Sequence, residues 1–74
     1  MIYIVLEIQA NDETAATLVN SYTTRNQAIS KYHQILAAAA ISTVPMHSAV
    51  LLTDTGLLLK NESFNHTEEE EEEE

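Results

Sequence analysis

The side chains with the most chemistry to offer are three histidines, His33, His47 and His66, five serines (Ser21, Ser30, Ser42, Ser48, Ser63) and two carboxylates, Glu7 and Glu62, set among apolar runs. A histidine metal site or general base announces itself by short spacing such as H-x₃-H or H-E-x-x-H, and the three histidines have none. They are expected to be satisfied within the fold or solvated. No serine sits in a G-x-S-x-G elbow, and the chain's one glycine, Gly56, stands near none of them. With a single glycine there is also no phosphate-cradling loop. Glu7 and Glu62 fall in different strand-like segments, and paired-carboxylate chemistry would require them to converge in a cleft. Cysteine is absent, which excludes disulfides and thiolate zinc sites. No catalytic, metal-binding or cofactor-binding residue is therefore assigned, and the expected class is non-enzymatic.

Charge narrows the partners. The formal net charge is −9, but the final seven residues, Glu68 to Glu74, carry most of it. Outside that run, Glu7, Asp12, Glu13, Asp54 and Glu62 oppose Arg25, Lys31 and Lys60, so the body carries −2. Three scattered bases form no stripe able to neutralise phosphates, which argues against nucleic acid and against anionic membrane surfaces. The glutamate run contains nothing to bury and repels itself, so residues 67–74 are expected to form a disordered acidic tail, its seven glutamates reaching about 23 Å. Its simplest effect is solubilising; mimicry of a phosphate backbone is the functional alternative. The opening segment has no basic stretch before its apolar residues and meets Glu7 early, unlike a secretory signal. A cytoplasmic location is expected, and the glycosylation-like patterns at Asn61 and Asn65 are read as coincidence.

The elements that hold these residues follow from periodicity. Residues 2 to 9 alternate, with Ile2, Ile4, Leu6 and Ile8 on one side and Tyr3, Val5, Glu7 and Gln9 on the other, as in a strand with one strongly apolar face. After a polar turn at 10 to 14, a second strand fits residues 15 to 22. Thr24 and Gln27 match a capping box, opening a helix over about 25 to 41. Its stripe, Ala28, Ile29, Tyr32, Ile35, Leu36, Ala39 and Ala40, spans an arc of roughly 140°, suited to lying on a sheet. Pro45 ends helical continuation. Strands then fit residues 46 to 53 and 57 to 64, joined by Asp54-Thr55-Gly56 with glycine at the left-handed position. The fold class is α+β, in β-β-α-β-β order: a four-stranded, mainly antiparallel sheet with one amphipathic helix on one face, forming a single domain over residues 1–66.

One helix covers one face of such a sheet. The other should be polar in a monomer. Here Tyr3, Val5, Val19, Ala49, Leu51 and Leu58 are candidates for the uncovered side, and an apolar patch of that kind marks an interface. A core of fewer than 70 residues is also marginal by itself, and oligomerisation is the supplement left when cysteine is absent. Homo-oligomerisation is expected, with another protein as a further possible partner. The segments "IYIVLEIQ", "TLVNSYTTRNQAISKYHQILAAAAIS", "VPMHSAVLLTDTG" and "KNESF" together resemble small acidic-tailed proteins of phages and prophages of Gram-positive gut bacteria. That resemblance covers residues 2 to about 66, carries over no functional residue, and implies a virion or assembly accessory located in the virion or the host cytoplasm. Two other functions stay open: inhibition of a host nucleic-acid or defence enzyme by the tail, and a small-ligand or nucleotide sponge at an oligomer interface.

Overall fold

The computed structural model describes residues 1–66; the tail expectation for residues 67–74 lies outside the described residues. Strands β1 (Tyr3–Ala10) and β2 (Ala15–Tyr22) form a hairpin, helix α1 (Arg25–Ala40) follows, and β3 (Met46–Thr53) and β4 (Leu58–Asn65) form a second hairpin. The first turn is tied by Asn11, whose Oδ1 accepts the backbone N–H of Glu13 and of Thr14, each at 2.8 Å. The second places Gly56 at φ +90°, the left-handed conformation for which glycine is suited.

The strands lie in the order β2-β1-β3-β4, and every neighbouring pair is antiparallel. Consequently β2 and β3 run parallel on either side of β1, and α1 is the crossover between them. Among the described residues no helix is long and apolar enough to cross a membrane.

Cross-strand partners point to the same face of a sheet. Val5, Ala49 and Leu51 pack with Ala28, Tyr32 and Ile35 of the helix, with Tyr3, Tyr22, Ile29, Leu36 and Leu59 at the edges of this core. Val5 and Leu51 are 0 % and 1 % exposed, so the helix covers the Tyr3–Val5 side of β1. That corrects the face assignment drawn from alternation: Tyr3, Val5, Ala49 and Leu51 lie beneath the helix. Ile2, Ile4, Leu6 and Ile8 face the other way, with Val19 and Leu58. Alternation identifies two faces but contains no strand order. The crossover from β2 to β3 puts its helix on one particular side, because connections between parallel strands are right-handed in almost all cases.

Finer features also differ. Thr24 is the N-cap residue, but its side chain makes no capping hydrogen bond, and the helix ends at Ala40. In the alanine run only Ala39 is buried, while Ala37, Ala38 and Ala40 are exposed. Ala39 lets the helix end approach the sheet; for the other three, helix propensity is the remaining role.

Candidate functional site

Polar chemistry gathers on the helix side. His47 and Glu7 lie on adjacent strands beneath the helix, and His47 Nε2 is 2.7 Å from Glu7 Oε2, to which Gln9 Nε2 also donates at 3.0 Å. Burial alone would raise the Glu7 pKa. Hydrogen bonds from His47 and Gln9, with positive charge at His47 and Lys31, outweigh it and hold the carboxyl below its ordinary value. His47 is 4 % exposed and its Nδ1 has no hydrogen-bond partner. A histidine–carboxylate pair can act as a base only where substrate can reach it; here the His47 side chain is 5 % and the Glu7 side chain 16 % exposed.

The linkage has a definite sign. Because Glu7 is depressed in the folded state, the unfolded chain binds more protons in the acid range. Its contribution is complete above the ordinary carboxylate range and is lost as pH falls through the folded value. Glu7→Gln is therefore expected to lower the urea midpoint at pH 7 and to narrow the difference between the midpoints at pH 7 and pH 3. Equal pH dependence in both proteins would contradict the pairing.

The remaining sequence candidates are dispersed. Glu62 shares a cross-strand row with Glu7, but Ala49 stands between them. The two carboxylates thus start from backbones about 10 Å apart, two strand spacings. Tyr32 has its phenol pushed up by burial and by the nearby Glu62 charge. His33 is exposed on the helix, edge-on to Tyr32. His66 donates from Nε2 to the Ala39 carbonyl at 2.8 Å and from its backbone N–H to Pro45 O at 2.6 Å, and it stacks on Phe64. The Ala39 carbonyl, at the helix C-terminus, also accepts the Ser42 backbone N–H at 3.2 Å, so His66 adds a second donor to it. Among the described residues no group of three potential metal ligands converges.

The open face is different in kind. Down β1 it carries Ile4, Leu6 and Ile8, with Ile2 just before the strand. Val50 and Leu52 flank them on β3, with Val19 on β2 and Leu58 on β4 at the margins. Val19 and Leu58 are 62 % and 53 % exposed. An open hollow of about 420 Å³ is lined by Ile8, Ser48, Val50, Asn61 and Ser63, with Ala49 and Glu62 of the same two strands also on its wall. Among the described residues the strand registers place no charged residue on this face: Glu7, Lys60 and Glu62 are on the helix side, Asp12, Glu13 and Asp54 are in turns, and Arg25 and Lys31 are on the helix. Of the six interface candidates from sequence, the structure thus brings Val19 and Leu58 to the open face. Sequence reasoning passed over Ile4, Leu6, Ile8, Val50 and Leu52. The signal for them was present in the isoleucine-rich side of the first strand.

Comparison with family models, with curated proteins and with solved structures finds no match.

Proposed function

We infer that the chain is a non-enzymatic protein-interaction module that assembles with itself through the open face of its sheet. One observation carries this reading: a four-stranded sheet has one face under a helix, while its opposite face carries Ile4, Leu6, Ile8, Val50 and Leu52 down its two central strands, bordered by uncharged polar residues and, among the described residues, by no charged one. Exposed apolar surface of this extent marks an association site. A second copy is the simplest partner, because two uncharged faces meet without leaving any ion unpaired. The resemblance to phage and prophage proteins gives the setting, a virion or assembly accessory.

The competing reading places activity in the glutamate run, as a phosphate mimic that inhibits a basic enzyme. Its support is the seven consecutive glutamates. Salt and truncation separate the two. Association of apolar faces opposed by tail repulsion strengthens as sodium chloride is raised, since salt screens the repulsion. A chain ending at Thr67 should accordingly assemble to the same stoichiometry as the full chain, and at low salt more tightly, in sedimentation velocity runs. Loss of assembly on truncation would contradict the open-face reading.

A further inference from the structure

The two edges of the sheet are unlike. β4 carries Lys60 and Glu62, and its register against β3 is irregular at Leu51/Leu52, features that discourage pairing with another chain. β2 has no such protection. Its eight residues, AATLVNSY, include no charge and no proline, its register against β1 is unbroken, and Ala15 to Val19 are exposed. Its unpaired backbone groups can be located from bonds at the ladder ends. Asn11 N–H donates to Thr14 O and Asp54 N–H to Ile2 O, both at 2.9 Å. Alternation from these bonds turns the N–H and C=O groups of Ala15, Thr17, Val19 and Ser21 outward.

Leu18 supplies the second observation. It points to the helix side, yet the helix rests on β1 and β3, and Leu18 stays 54 % exposed. An interface on the open face would leave it uncovered.

We propose that β2 pairs antiparallel with β2 of a second copy about a two-fold axis at Leu18, joining two sheets into one continuous sheet of eight strands. An axis perpendicular to the sheet keeps both helices on one side and sets residues of the same face opposite each other. With the axis at Leu18, Ala15 meets Ser21 and Thr17 meets Val19, so all four outward residues are paired. Centring on Val19 would set Ala15 opposite Thr23, outside the strand. Residues near a two-fold meet their own kind, where a charge would face itself; β2 has none. Leu18 then packs against its symmetry mate in the trough between the two helices. Pairing also enlarges the open face. A four-stranded face measures roughly 19 by 26 Å, about 500 Å². That is below the ~800 Å² per partner of a stable interface, and the joined sheet exceeds it. The edge contact stands independently of the open-face contact, and different variants read the two.

The test uses the full chain, which has no cysteine of its own. Leu18→Cys should form an interchain disulfide under mild oxidation, since non-hydrogen-bonded antiparallel partners suit its geometry. Lys60→Cys, on the other edge, should link at a much lower yield. In the unaltered protein the amides of Thr17 and Val19 should exchange with solvent about tenfold or more slowly than in an open edge strand. Leu6→Lys, which disrupts only the open face, should leave the Leu18→Cys link intact. Cross-linking of Leu18→Cys no greater than that of Lys60→Cys, or free exchange at Thr17 and Val19, would overturn the proposal.

Discussion

Leu6→Lys is expected to at least halve the mass of the assembly at micromolar concentration while leaving the fold intact. Leu6 lies in the central strand on the open face and outside the buried core. Removing its side chain opens no cavity there, and a lysine in a lone chain can extend its ammonium into water. Two faces packed together offer no such route. The ammonium would be desolvated against Ile4, Ile8, Val50 and Leu52, at a cost of several kcal/mol per ion. Among the described residues no carboxylate lies on the opposing face to pair with it. A two-fold contact applies the penalty twice, once from each copy. Lys60→Ala, on the helix side of the β4 edge, should leave the mass unchanged. Light scattering after size exclusion reads the mass and circular dichroism reads the fold. An unchanged mass for Leu6→Lys would remove the open face from the interface.

Leu51→Ala acts on the other side of the sheet and on a different property. Leu51 is 1 % exposed and belongs to the core cluster with Val5, Tyr32 and Ile35. Truncating a buried leucine costs about 2–5 kcal/mol, through lost transfer energy and the cavity left behind. At about 0.05–0.15 kcal/mol per residue, a domain of this size is stable by only roughly 3–10 kcal/mol. The urea midpoint should fall by about 2 M or more, given slopes near 1 kcal/mol per molar for small domains. Had the isoleucine side of β1 been the one beneath the helix, Leu52 would hold the position of Leu51. A smaller loss for Leu51→Ala than for Leu52→Ala, measured where both are monomeric, would contradict the assigned faces.

That contrast marks how far the sequence is legible. Element order and bounds follow from local patterns: the second strand is placed at residues 15 to 22 as observed, the helix to within one residue of its end, and the Gly56 turn by its left-handed requirement. The face of the sheet that the helix covers is not local. Ile2, Ile4, Leu6 and Ile8 outrank Tyr3, Val5, Glu7 and Gln9 in apolarity, yet the less apolar side is the buried one. Its polar members are tolerated there because Gln9 and the Nε2 of His47 both hydrogen-bond the Glu7 carboxylate, the latter across 40 positions that no spacing rule signals, although His47 Nδ1 is left without a partner. Thr24 shows the reverse case, a capping pattern present in sequence but unused by its side chain. The lack of charge on the open face was implicit in the same strands and became visible only once their register was fixed.

Both contacts lead to one composition: two chains joined edge to edge through β2, and two such pairs packed by their uncharged faces with the helices outside. Sedimentation equilibrium of the unaltered 74-residue chain, over a range of micromolar concentrations and at more than one salt concentration, tests this most directly. The expected result is an assembly of four chains, tightening as salt rises. A mass of one chain, 8.2 kDa, throughout the range would contradict self-association.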